Sequence, residues 1–154
     1  MKYLALVLIC SIALLPACMD ATPVTEGQDP GWLEDHDVAF EKARETGKPI
    51  LMDFTGSDWC GWCIKLDREV FSTDEFKTWA DENVVLLEVD FPKRKALPVE
   101  QIEANQSLAK KYGIRGYPTI IVTNADGELL GQFGYAEGGP EAWIAELERR
   151  TGLD

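Results

Sequence analysis

The chain has 154 residues, 45% of them hydrophobic, enough for one packed domain without a structural metal or a disulfide framework. Its 15 basic against 27 acidic residues leave a formal net charge of −12. That balance excludes nucleic acid as a partner and excludes a basic membrane-surface module.

Met1-Lys2-Tyr3 leads into an uncharged run, Leu4 to Leu15, which ends at Pro16-Ala17-Cys18 before polar Asp20 and Thr22. One positive charge, a short apolar stretch and a small residue at the exit predict a secretory signal over residues 1–18. The run falls short of the ~20 apolar residues that a transmembrane helix needs. Leu15-Pro16-Ala17-Cys18 also resembles a bacterial lipobox, in which Cys18 would carry a lipid and become the mature N-terminus. Ordinary cleavage nearby is the alternative, and both readings export the chain, to the periplasm or to a membrane-anchored position there. Residues 19–30 are polar, with two prolines and a glycine, and predict a tether, so the domain covers 31–154.

Leu33 to Thr46 is predicted helical, with acids early and Gly47 as its stop. Pro49 opens a strand, Ile50 to Phe54, and a second helical region runs from Cys60 to about Glu82 with a break at Ser72-Thr73. Val84 to Phe91 is an apolar strand, followed by a loop holding Lys93-Arg94-Lys95 and a helix from Val99 to Tyr112. Thr119 to Thr123 is a strand that turns at Asn124-Ala125-Asp126-Gly127 into another, Glu128 to Phe133. Gly139-Pro140 opens the last helix, with Trp143, Ile144 and Leu147 as its apolar stripe; Trp79 is likewise a packing residue. Strands joined by a helical crossover are expected to run parallel, and the short turn makes the final pair antiparallel. The result is an α/β fold with a mixed central sheet of about four to five strands and helices on both faces.

The chemistry concentrates in Trp59-Cys60-Gly61-Trp62-Cys63, placed after a strand and at the start of a helix. Only a thiolate is nucleophilic, and a free thiol is mostly protonated at neutral pH. A helix N-terminus aims unpaired N–H groups and its dipole at Cys60 and so favours the anion. Cys63, one turn further on, can attack a mixed disulfide formed at Cys60. Cys60 is therefore the expected exposed nucleophile and Cys63 the more buried resolving thiol. A C-x-x-C can also be half of a zinc site or an inert disulfide. Structural zinc normally takes four N or S ligands, and the chain offers no cysteine after Cys63 and one histidine, His36, far upstream.

Residues 50–65 (ILMDFTGSDWCGWCIK) and 110–119 (KKYGIRGYPT) resemble the active-site turn and the cis-proline segment of the thioredoxin superfamily, in particular its exported members and the C-terminal domain of the membrane disulfide reductase. The resemblance covers about residues 31–150 and implies a thioredoxin-like fold and thiol–disulfide oxidoreductase activity. It implies that Pro118 is cis and faces the cysteines, exposing the backbone of Tyr117 to an extended substrate. It implies that Asp53 is the buried acid that takes the proton from Cys63; a strand acid facing solvent is the alternative. Asp53 sits seven residues before Cys60, one more than the family's usual spacing, with the extra residue in Thr55-Gly56-Ser57-Asp58. Trp59 matches the aromatic before the first cysteine, so Trp59, Trp62, Tyr117 and Pro118 form the expected substrate-contacting set.

Trp62 departs from the residues that usually tune this family. A cationic histidine there would stabilise the Cys60 thiolate and make the disulfide a stronger oxidant, whereas Trp62 brings no charge and Asp58 opposes the anion, with Lys65 as a partial offset. The expected poise is reducing or intermediate rather than strongly oxidising. Substrates are then proteins carrying disulfides. The sequence has no dinucleotide or flavin fingerprint, so no cofactor is expected and a membrane-bound protein is the expected electron donor. An oxidase or isomerase, and a metallochaperone holding Cu(I) between two thiolates, are the rival functions. Lys93-Arg94-Lys95 reads as a solvated loop rather than a docking patch.

Overall fold

The computed structural model describes residues 31–153, so the predicted signal, Cys18 and the tether lie outside the described residues. Strand β1 (Ile50–Thr55) is buried along its whole length, as expected of a strand covered on both faces. It pairs in parallel with β2 (Val85–Asp90), Ile50 opposite Val85 and Thr55 opposite Asp90. On its other side it pairs antiparallel with β3 (Thr119–Thr123), Phe54 opposite Thr119. β4 (Leu129–Phe133) follows the predicted turn and closes the order β2-β1-β3-β4.

The crossover rule holds from β1 to β2 and fails from β2 to β3. Helix α4 (Val99–Lys111) has 13 residues, about 20 Å at 1.5 Å each, and crosses the height of the sheet by itself. Residues 112–118 then return the chain, so β3 starts level with the end of β2 and runs the opposite way.

Because side chains alternate across a strand, each strand feeds two cores. On one face Ile50, Met52, Phe54, Leu87 and Ile121 meet α4 and the helix α1 (His36–Thr46) through Leu108, Ala39 and Ala43. On the other, Leu51, Leu86, Ile120 and Val122 meet Leu66, Val70, Phe71, Phe76, Trp143 and Leu147. Those belong to α2 (Gly61–Leu66), a π-helical turn (Asp67–Phe71), α3 (Asp74–Asn83) and α5 (Gly139–Thr151). Trp143 is fully buried, with the rings of Phe133, Phe71 and Phe76 at 4.7, 5.3 and 5.8 Å.

Helix α1 begins three residues later than expected. Asp35 caps it, its carboxylate accepting from the N–H groups of Asp37 at 2.8 Å and Val38 at 3.3 Å. Leu33 instead extends the sheet along β2, donating to Leu86 at 3.0 Å and accepting from Glu88 at 2.8 Å. The break at Ser72-Thr73 falls where expected, with Thr73 capping α3 through the Phe76 N–H.

Candidate active site

Cys60 has extended backbone and caps α2, its sulfur accepting the N–H of Cys63 at 3.2 Å. The two cysteines are disulfide-bonded, with Cα atoms 5.2 Å apart. Cys60 is 7% exposed and Cys63 4%, so the expected contrast between an exposed and a buried sulfur is small while the disulfide is closed. A proton-bearing amide aimed at Cys60 would stabilise negative charge there once the bond opens.

Asp53 follows Leu51 by two residues along β1, which puts it on the face beneath α2. It is 8% exposed, and its Oδ1 has no hydrogen-bond partner among the described residues. A pocket of about 290 Å³ joins it to Cys63, with Trp32, Asp67, Phe71 and Glu88 in the walls. Burial holds the Asp53 carboxyl well above the usual carboxylate range, and the charges of Glu88, Asp67 and Asp90 add to that. The extra residue before Cys60 therefore does not carry Asp53 out to solvent.

Glu88 is the β2 register partner of Asp53, and its own carboxyl is raised by burial first and by Asp90 next. Glu88 is not among the expected site residues, although an acid inside Val84-Val85-Leu86-Leu87-Glu88-Val89 is a visible interruption of the apolar strand.

The Tyr117–Pro118 peptide is cis. The Tyr117 ring lies between Trp59, edge-on at 5.9 Å, and Phe91 at 5.3 Å, which sets Trp59 beside the Tyr117–Pro118 peptide. Trp62 is 57% exposed and leans on Tyr135 at 5.3 Å, with the Lys65 Nζ 5.2 Å from one ring centroid and 4.7 Å from the other. The Tyr135 hydroxyl donates to Glu69 at 2.7 Å and holds that carboxyl below its usual range. Tyr135 was not anticipated, because it comes from the loop before α5, remote in sequence from Trp62.

The Asp58 carboxylate, expected as a negative charge near Cys60, also organises the loop of residues 93–95. It accepts from the backbone N–H groups of Lys93, Arg94 and Lys95 at 2.9, 2.6 and 3.0 Å, and these bonds lower its pKa. Ser57 adds bonds from its N–H and hydroxyl to Asp90 at 2.9 and 2.6 Å. Removing the carboxylate in Asp58→Ala should accelerate hydrogen exchange at the amides of residues 93–95 by about tenfold, the worth of one typical hydrogen bond. Unchanged exchange there would show that the loop holds its shape without Asp58.

Among the described residues no helix is long and apolar enough to cross a membrane. The profile of the thioredoxin-like domain family matches residues 36–150. The chain is 36% identical over 115 residues to the disulfide bond reductase DsbH of Chlamydia pneumoniae, covering 75% of this chain and 69% of that one. It is 33% identical to the thioredoxin-related protein DsbJ of the same organism, over 70% of this chain but 32% of the relative. A solved DsbH oxidoreductase superposes with a TM-score of 0.77 at 35% identity, over 80% of this chain and 85% of that one.

Proposed function

Because the chain is a thiol–disulfide oxidoreductase of the thioredoxin-like family, we propose that it works as a reductant of disulfides in exported proteins, with Cys60 as nucleophile and Cys63 as resolving thiol. The observation that carries this reading is the Cys60 sulfur on the Cys63 amide, with an uncharged Trp62 rather than a cation between the cysteines. One amide favours the thiolate enough for attack, while the missing cation leaves the reduced form without the extra stabilisation of a strong oxidant.

The Cys60 thiolate attacks one sulfur of a substrate disulfide, whose S–S bond breaks, and the departing thiolate takes a proton from solvent. Asp53, ionised, accepts the Cys63 thiol proton across the pocket, which is roomy against the ~30 Å³ of one water. The Cys63 thiolate then attacks the Cys60 sulfur and expels the second substrate thiol. Two electrons pass to the substrate, and the Cys60–Cys63 disulfide remains. Tyr117 and Pro118 present backbone to an extended substrate, and Trp59 and Trp62 flank it. A membrane-bound protein that restores the dithiol suits an exported chain, and the signal-like run of residues 1–18, ending at the lipobox-like Cys18, supports that location.

The reduction potential of the pair, read by mass after equilibration in thiol–disulfide buffers, tests the direction. A value near about −270 mV is expected, as for thioredoxin. A value near about −120 mV would make the protein an oxidase instead.

A further inference from the structure

We propose that Lys93-Arg94-Lys95 is a docking patch for an acidic segment of the partner beside its reactive disulfide. The inference rests on the redox reading of Cys60 and Cys63 and adds to it the charge of what they act on. All three side chains are exposed, on a chain whose formal net charge is −12.

Two observations make this more than a solvated loop. The first is position. The Lys93 Nζ lies 3.6 Å from the centroid of the Trp59 ring, and Trp59 directly precedes Cys60. The Trp59 indole N–H donates to the Phe91 carbonyl at 2.8 Å, and its ring meets Tyr117, the residue of the cis peptide. The basic segment therefore borders the rim where a substrate must lie to reach Cys60.

The second is preorganisation. Asp58 binds three successive backbone amides of the segment, so its shape does not depend on the three side chains. The Arg94 guanidinium is in no ion pair among the described residues, and Lys95 reaches only the exposed Glu34, at 3.7 Å. Exposed pairs of that kind hold little energy and yield to a competing anion. The chain as a whole carries net negative charge, and Lys65 stands on the Trp62 side of the site, so these three cations are the concentrated positive charge on the Trp59 side of the rim.

The test uses three otherwise identical peptides whose disulfide is flanked by three Glu, three Gln or three Lys. The prereduced full chain is mixed with each under single-turnover conditions, and every rate is divided by the same protein's rate on the Gln peptide. At low ionic strength the Glu peptide should react about tenfold faster than the Lys peptide, the scale of electrostatic steering. The preference should collapse in 1 M salt, where the screening length is about 3 Å. Lys93→Gln, Arg94→Gln and Lys95→Gln together should abolish it, and the matching changes to Glu should invert it. Lys42→Glu, Arg44→Glu and Lys110→Glu, the same charge change on surfaces away from the cysteines, should leave it in place. Equal rates for the Glu and Lys peptides, or a preference that the distant variant also inverts, would overturn the docking patch alone. Failure to reduce even the Gln peptide would overturn the redox reading beneath it.

Discussion

Replacing Cys60 by serine is expected to lower disulfide exchange by a factor on the order of 10³ or more, since a hydroxyl cannot supply the nucleophile. The companion Cys63→Ser should behave differently. Its Cys60 can still attack, but nothing resolves the product, so a mixed disulfide with substrate should accumulate and be visible by mass. The contrast rests on geometry: the Cys63 amide points at the Cys60 sulfur, and among the described residues no such donor reaches the Cys63 sulfur. If Cys63→Ser proved the dead variant and Cys60→Ser formed the stable adduct, the two roles would have to be exchanged. The change should not unfold the domain, because both cores are built from aliphatic and aromatic residues of the sheet and helices.

The second large effect is expected from Asp53→Asn. An amide cannot take the Cys63 proton, so the resolving step should slow by about 10²-fold, at the lower end of what a positioned base contributes. Attack by Cys60 should be little changed, and the variant should therefore build up mixed disulfide at neutral pH. The rate should recover as pH rises and Cys63 ionises unaided. A variant with the wild-type pH profile would remove Asp53 from the mechanism.

Asp53→Asn should also change stability in a defined direction. The folded-state pKa of Asp53 is raised above its unfolded value, so the folded protein holds the proton more tightly. The associated stability is fully present below the unfolded pKa, near 3.9, and is lost as pH rises through the folded value. Above the unfolded pKa the wild type must on folding either take up a proton at Asp53 or bury its charge among Glu88, Asp67 and Asp90, and the variant does neither. Denaturation midpoints should therefore favour Asp53→Asn at neutral and alkaline pH, with the difference shrinking toward pH 4. A gain in stability together with a loss of turnover would separate a functional acid from a structural one.

Much of the fold was legible because its signals are local. Pro49 and Gly47 bracket the entry to β1, Thr73 caps α3, and the turn before β4 carries its own chemistry in Asn124 and Gly127, whose N–H donates to the Asn124 carbonyl at 3.0 Å. The misreadings came from pairing between distant segments. Leu33 stands just ahead of a helical stretch, yet it joins the sheet because the β2 edge offers it two backbone partners. β3 runs antiparallel to β1 because residues 112–118 return the chain after α4, a path that helix periodicity does not encode.

The site divides in the same way. By itself the sequence determined the Cys60–Cys63 pair, since both cysteines and the amide that faces Cys60 lie within one helical turn. The motif around Tyr117-Pro118 carried the cis peptide across by resemblance. Only the tertiary structure decided what surrounds the pair. Asp58 binds backbone 35 to 37 residues away. Tyr135 and Lys65 brace Trp62, Glu88 stands beside Asp53, and Lys93 lies on Trp59. Those contacts depend on which strands become neighbours and which loops gather at their ends. Chain separation carries no information about that, so charge and aromatic placement around the cysteines become readable only once the sheet has formed.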